Sequence, residues 1–328
     1  MSFDAALLGK FINGEKRACA RIISIVENRR KGFEEYLKQL QPRARGAYVI
    51  GITGPPGVGK STLINRLAAE LLKDGNSVGV VAVDPSSPFT GGAVLGDRIR
   101  MGEISMNSRF YFRSLSSRGN LGGLSEAASD VVRILDAFGK DVIIVETVGT
   151  GQNEVDVIES CDTVVVVLMP GTGDDIQAQK AGILEIGNVF AINKSDRDGA
   201  ERTLRELQTM LHMNPMSEYE TRIVMTKSNI GEGISDLKDA ILSHRDYLNG
   251  TGKMAEKRSA RNVNEMTRLI RAKIIGKVES LMDSDREYMK IEGDVRGGRL
   301  DPHSASARLL EYIDDKLFVS KSKGERNG

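Results

Sequence analysis

Gly54-Pro55-Pro56-Gly57-Val58-Gly59-Lys60-Ser61 is the stretch on which the reading of the fold turns. It matches the pattern G-x-x-x-x-G-K-S/T in full. The apolar run Tyr48–Thr53 precedes it and reads as a strand; the amphipathic stretch Ser61–Leu72 follows it and reads as a helix. Strand, glycine loop and helix in that order make a cradle for phosphate. Glycines let backbone N–H groups converge on phosphate oxygens with no side chain in the way. The helix aims its positive N-terminal end at the same anion. Lys60 is placed to neutralise the β and γ phosphates, and Ser61 to offer a hydroxyl to Mg²⁺.

Outward from the loop, residues 47–249 alternate short β-branched runs with helical stretches. Val78–Asp84, the run from Val142 to Glu146, the run from Thr163 to Met169 and Val189–Asn193 are apolar nearly throughout, without alternation. Strands covered on both faces read that way, which predicts an α/β P-loop NTPase fold with a mostly parallel sheet flanked by helices. Residues 1–46 read as a helical N-terminal extension, carried by Leu7, Leu8, Phe11, Ile12, Ile22, Ile23 and Val26. Residues 250–328 lose the strands. Met266, Leu269, Ile270, Ile274, Val278 and Leu281 form an apolar stripe at helical spacing, and Ala307, Leu310 and Ile313 a second after Pro302.

Asn193-Lys194-Ser195-Asp196 closes the strand Val189–Asn193 and has the form N-K-x-D. A carboxylate such as Asp196 accepts from both the ring N1–H and the exocyclic amine of guanine; adenine lacks that paired donor edge. Lys194 can lie along the base, and Asn193 can tie this loop to the phosphate loop. Thr226-Lys227-Ser228 is a candidate base-side loop whose amides reach the guanine carbonyl, with an ordinary loop before Gly231 as the alternative. Asp84 and Glu146 end two further strands, at the crevice where parallel strands place their C-terminal ends. Two carboxylates there can hold Mg²⁺ directly or through its waters; the alternative is a pair of solvated strand-end acids. Gly149, in Glu146-Thr147-Val148-Gly149, can donate its N–H to the γ-phosphate. Asp97, in the glycine-rich stretch from Gly91, is a candidate third carboxylate. Gln152 does not stand at an established water-positioning place, so slow turnover alone and faster turnover with a partner are expected.

Composition narrows the classes. Lys plus Arg number 46 against 45 Asp plus Glu, a net charge of +1. That balance offers no attraction for nucleic acid or an anionic membrane surface. Cys19 and Cys161 are the only cysteines and lie far apart, which fits a reducing cytoplasm and excludes a disulfide framework. The start from Met1 to Lys10 lacks a charged segment followed by a long apolar run, so no signal peptide is expected. A soluble cytoplasmic protein follows.

Taken together, the motifs make the chain resemble the MeaB/ArgK-type P-loop GTPases, bacterial relatives of the methylmalonic aciduria type A protein. Beyond the phosphate loop with Thr62, the resemblance is carried by Val83-Asp84-Pro85-Ser86-Ser87 and Leu95-Gly96-Asp97-Arg98-Ile99-Arg100-Met101. Glu146-Thr147-Val148-Gly149-Thr150-Gly151-Gln152, Pro170-Gly171-Thr172-Gly173-Asp174-Asp175-Ile176-Gln177 and Asn193-Lys194-Ser195-Asp196 complete it. The resemblance implies a homodimeric G-protein chaperone of an adenosylcobalamin-dependent acyl-CoA mutase, chiefly methylmalonyl-CoA mutase. GTP would gate cofactor loading and the protection or rescue of the mutase. It places Lys60, Asp84, Asp97 and Glu146 at nucleotide and magnesium positions. The segment 169–180 falls at a switch loop, with Lys180 as its mobile cation, and the C-terminal helices at a dimerisation arm. Thr226-Lys227-Ser228 departs from the common Ser-Ala form of the base-side loop. A nickel-insertion GTPase is the alternative; it calls for a Cys/His cluster, and His212, His244 and His303 are widely separated.

Overall fold

In the computed structural model the chain is described for residues 3–84, 101–116, 123–147, 158, 160–171, 186–213 and 218–314. The strands are β1 (Tyr48–Thr53), β2 (Val78–Asp84), β3 (Phe110–Ser116), β4 (Val142–Thr147), β5 (Thr163–Leu168), β6 (Val189–Asn193) and β7 (Arg222–Thr226). The described helices are α1 (Ala5–Ile12), α2 (Lys16–Glu27), α3 (Phe33–Leu40), α4 (Lys60–Lys73), α5 (Gly123–Ala137), α6 (Ala200–Met213) and α7 (Ile234–Gly250), followed by α8 (Lys253–Ser284), α9 (Arg286–Arg296) and α10 (Pro302–Asp314).

The seven strands form one sheet in the order β3-β2-β4-β1-β5-β6-β7, and every pairing is parallel. β1 is central. It pairs with β4 from Tyr48↔Val142 to Ile52↔Glu146, and with β5 from Ile50↔Thr163 to Thr53↔Val166. Its side chains alternate between two cores. Ile50 and Ile52 pack with Leu63, Leu67, Leu237 and Ile241 of α4 and α7, whereas Val49 joins the opposite layer. Both faces are covered, which is why β1, β4, β5 and β6 carry unbroken apolar runs.

The N-terminal helices are part of this body. Phe11, Ile22, Ile23 and Val26 are buried with Val81, Tyr111, Val131 and Leu135. Lys16 Nζ donates to the carbonyls of Asn107 and Phe110 at 3.0 and 2.8 Å. Glu27 pairs with Arg113, and Arg29 with Asp130 at 2.6 Å. By contacts the chain divides into Met1–Lys257 and Arg258–Gly328. The extension expected over 1–46 therefore lies within the first unit, because its apolar stripe completes the layer over β2 and β3. In the second unit, α9 is capped by Asp285, whose carboxylate also accepts from Tyr312 Oη of α10. Among the described residues no helix is long and apolar enough to cross a membrane.

The sheet's N-terminal edge carries a buried polar cluster. Tyr48 Oη donates to the Ile241 carbonyl at 3.0 Å, and Thr163 Oγ1 lies 2.6 Å from His244 Nδ1. Tyr219 meets the imidazole edge-on and Tyr247 stacks on it. Burial, with a smaller push from Lys257, lowers the His244 pKa to about 4. The neutral ring shares a hydrogen bond with the Thr163 hydroxyl. Because the folded pKa lies below the ordinary 6.5, the unfolded chain takes up this proton first. The stability present above pH 6.5 is lost as pH falls toward 4. Between pH 7 and pH 5 this site should remove about 2 kcal/mol of unfolding free energy. Urea unfolding of the protein and of His244→Asn at both pH values checks it: the variant should be less stable at pH 7 but lose less on acidification.

Candidate functional site

The phosphate loop leaves β1 at Thr53 and enters α4 at Lys60. Its first glycine is required by space. Gly54 stands at φ +143°, and a Cβ there would collide with the Val167 carbonyl of β5. Gly59, at φ +96°, begins α4 with no side-chain cap, and a Cβ there would meet Asn193 Nδ2 at 2.5 Å. An uncapped first turn leaves its amides for an anion. Lys60 is 7 % exposed, and its Nζ is steered by the carbonyls of Gly54 at 2.6 Å and Pro55 at 2.9 Å. Both carbonyls belong to the loop itself, so the cation is held over the cradle. Pro55 and Val58 are buried; Pro56, Gly57 and Thr62 lie at the exposed rim.

Ser61 Oγ donates to Glu146 Oε1 at 2.7 Å, and Glu146 is 6 % exposed. The pairing follows from the sheet: Ile52↔Glu146 sets the end of β4 beside the end of β1, and the loop turns back so that α4 starts above both. A hydroxyl and a carboxylate are hard oxygen donors, the set that suits Mg²⁺, so these residues fit that ion. Asp84 ends β2 one strand further out, and its neighbour Val83 is in register with Thr147. The backbone thus brings Asp84 to the edge that carries Glu146; its side chain lies outside the described part, as do Asp97, Gly149, Gln152 and Lys180. Of the segment 169–180, the described residues are Met169, Pro170 and Gly171.

On the base side Asn193 is 1 % exposed and spans two loops. Its Nδ2 donates to the Val58 carbonyl at 2.8 Å; its Oδ1 accepts from Thr226 Oγ1 at 3.2 Å and from the Ser228 amide at 3.1 Å. Lys194, at φ +57°, reaches the Gly57 carbonyl at 2.7 Å. Asp196 is exposed beside them. The loop after β7 is closed by Lys227, whose N–H donates to the Glu232 carbonyl at 2.9 Å and whose Nζ pairs with that carboxylate. The amides of Lys227 and Ser228 therefore have protein partners in this state. Arg66 of α4 adds a link the motifs do not mark, donating to the Asn229 carbonyl at 2.9 Å. Its signal in the sequence is only its place on the helix leaving the phosphate loop.

The arrangement joins an anion cradle, a cation, a hard-oxygen pair and a base-side carboxylate at one edge of a parallel sheet. A family model described as methylmalonyl Co-A mutase-associated GTPase MeaB matches residues 19–283. The chain belongs to the MeaB family of GTPases. Its relatives include a Pyrococcus abyssi protein, 44% identical over 311 residues that cover 94% of this chain and 96% of that one. The Escherichia coli GTPase ArgK is 30% identical over 314 residues, 93% of this chain and 95% of that one. The mitochondrial methylmalonic aciduria type A homolog of Caenorhabditis elegans is 30% identical over 324 residues, 93% of this chain and 81% of that one. Among solved structures, the crystal structure of the LAO/AO transport system kinase superposes with a TM-score of 0.72 at 24% identity, covering 96% of this chain and 99% of that one. That likeness is one of fold. As a MeaB-family GTPase the protein binds GTP and GDP and hydrolyses GTP.

Asn193 gives the sharpest test of the site's construction. Asn193→Ala removes the buried partner of the Val58 carbonyl, the Thr226 hydroxyl and the Ser228 amide together. The ligand-free protein should lose roughly 1–3 kcal/mol of stability, and affinity for a fluorescent GDP should fall tenfold or more. An unchanged affinity would mean that the two loops hold their positions without this side chain.

Proposed function

We propose that the protein is an Mg²⁺-dependent G-protein chaperone of an adenosylcobalamin-dependent acyl-CoA mutase of the methylmalonyl-CoA mutase type. Its GTP cycle gates cofactor loading and the protection or reactivation of the client. The observation that carries the enzymatic half is the Ser61–Glu146 hydrogen bond at the mouth of the phosphate loop. The client is supported by the description of the family and by the name of the nematode relative.

In this reading the backbone of Gly54, Pro55, Pro56, Gly57, Val58, Gly59 and Lys60, with Ser61 and Thr62, wraps the phosphates. Lys60 neutralises the β and γ oxygens, where charge develops as water attacks in line. Ser61, Asp84, Asp97 and Glu146 hold the metal. Bound Mg²⁺ supplies charge stabilisation at the β and γ phosphates. Gly149 senses the γ-phosphate. Asn193, Lys194 and Asp196 seat guanine, and Thr226, Lys227 and Ser228 close over it once the Ser228 amide exchanges Asn193 Oδ1 for the base carbonyl. Lys180, in the switch segment, completes the site when the client docks. Hydrolysis should accordingly be slow in the isolated protein.

We infer further that the protein is a cytoplasmic homodimer, with no role for nucleic acid or a membrane. Along α8, Val263, Met266, Ile270 and Ile274 stand exposed at steps of three and four residues, with Ile275 and Met282 beside them. An apolar stripe of that length on a helix asks for a partner. A second copy brings the same stripe to it under two-fold symmetry.

Two measurements test this reading. Purified protein with Mg²⁺ should release phosphate slowly from GTP, and addition of the host's adenosylcobalamin-dependent mutase should raise the rate at least tenfold. Equal rates with and without the mutase, and no complex on gel filtration, would remove the chaperone assignment while leaving the GTPase. Light scattering should give a dimer for the wild type and a monomer for Ile270→Glu/Ile274→Glu, with GDP affinity unchanged.

A further inference from the structure

The backbone ladder between β1 and β4 ends at Ile52↔Glu146. One residue further on, Thr147 Oγ1 donates to Thr53 Oγ1 at 3.1 Å, and the two threonines are 0 % and 3 % exposed. This side-chain bond is the next rung of the ladder after the backbone rungs stop. Thr53 is the last residue before the phosphate loop, and Thr147 directly follows Glu146. On its other side Thr53 is in register with Val166 of β5, so that side is already fixed by backbone. Alternation along the strands turns the threonine pair to the face opposite Glu146. The pair therefore lies behind the Ser61–Glu146 contact and governs the spacing of the two strand exits from there.

We propose that Thr147 is a positioning residue: its hydroxyl, clamped on Thr53, holds the exit of β4 against the exit of β1 and so sets Glu146 at the distance from Ser61 at which the two share Mg²⁺. This inference rests on the GTPase site as read above and adds a residue to it. Two consequences separate it from a purely structural role. The clamp acts on the carboxylate side, so it matters when the metal links carboxylate, hydroxyl and nucleotide, and matters little to nucleotide held by the cradle and base loops alone. Its chemistry is that of a hydroxyl, so serine can replace threonine and valine, of the same shape, cannot.

The test is equilibrium binding of a fluorescent GDP to the full chain, in excess Mg²⁺ and in EDTA, with GTP turnover alongside. Wild-type protein should bind more tightly in Mg²⁺. Thr147→Val should keep its EDTA affinity within twofold while the gain from Mg²⁺ shrinks at least fivefold. Its kcat should fall about tenfold with little change in KM, and Thr147→Ser should recover most of both. Thr53→Val, which removes the acceptor, should reproduce the loss, and the double valine variant should be no worse than either single one. Full Mg²⁺ gain in Thr147→Val overturns the proposal. Equal weakening in both conditions, no recovery in the serine variant, or additive losses in the double variant overturn it as well. Should Thr147→Val fail to fold by circular dichroism, Thr53→Val and Thr147→Ser carry the same comparison. Wild-type protein that binds no guanine nucleotide would instead overturn the underlying reading of the site.

Discussion

β1 is bound by backbone hydrogen bonds on both edges, and the rest of the site depends on that. A strand paired with β4 on one side and β5 on the other cannot slide without breaking two ladders. The phosphate loop begins where the strand ends, so its first atoms inherit that rigidity. The steric closure at Gly54 against Val167 is a consequence: the chain leaves the sheet so close to β5 that no side chain fits. The order of strands adds to it. The connection leaving β1 runs toward β2 on one side, whereas β5 and the strands after it, β6 and β7, lie on the other, with β4, β2 and β3 filling the first side. A crevice forms at such a point beyond the carboxyl ends of the strands. The loop, Glu146 and Asn193 all open into that edge.

From β1 outward, rigidity passes through side chains. On the base side the carrier is Asn193, an amide with donor and acceptor both used, joining β6, the phosphate loop and the loop after β7. On the metal side the carriers are the Ser61–Glu146 bond and the hydroxyl pair behind it. Asn193, Glu146 and the two threonines are almost fully buried, where an unpaired polar atom is costly and a satisfied one fixes geometry firmly. A ligand arriving at such a site meets groups already oriented, so less binding energy goes into ordering them.

What could be read in the sequence and what could not divide along a physical line. The phosphate loop, its strand and its helix were legible because glycines, a lysine and a hydroxyl at fixed offsets encode a local backbone conformation. Runs of valine and isoleucine marked five strands to within a residue, because burial on both faces leaves a composition signal. The N-terminal helices were legible as helices, while their membership in the main body was not. Burial of Phe11 and Ile22 against Tyr111 and Val131 is a contact across about a hundred residues, and periodicity is silent about partners. The engaged amides of Lys227 and Ser228, the Arg66–Asn229 link and the threonine pair were invisible for the same reason. Each depends on which residues two separate strands or loops bring together, and ordinary residue types carry no mark of that.

The two units of the chain solve the burial problem differently. In Met1–Lys257 the sheet is covered on both faces, and its cores are closed by the chain's own helices. Among the described residues of that unit, Ile12, Met106 and Ile230 are the large apolar side chains left exposed. In Arg258–Gly328 the described helices bury few of their apolar side chains; only Ile291 and Ala305 are nearly hidden, and the face of α8 stays open. Helices of this kind gain most of their stability from packing, since propensity alone is marginal even over many turns. The sequence thus separates a body whose apolar side chains are buried largely by its own helices from a segment whose α8 face stays exposed among the described residues.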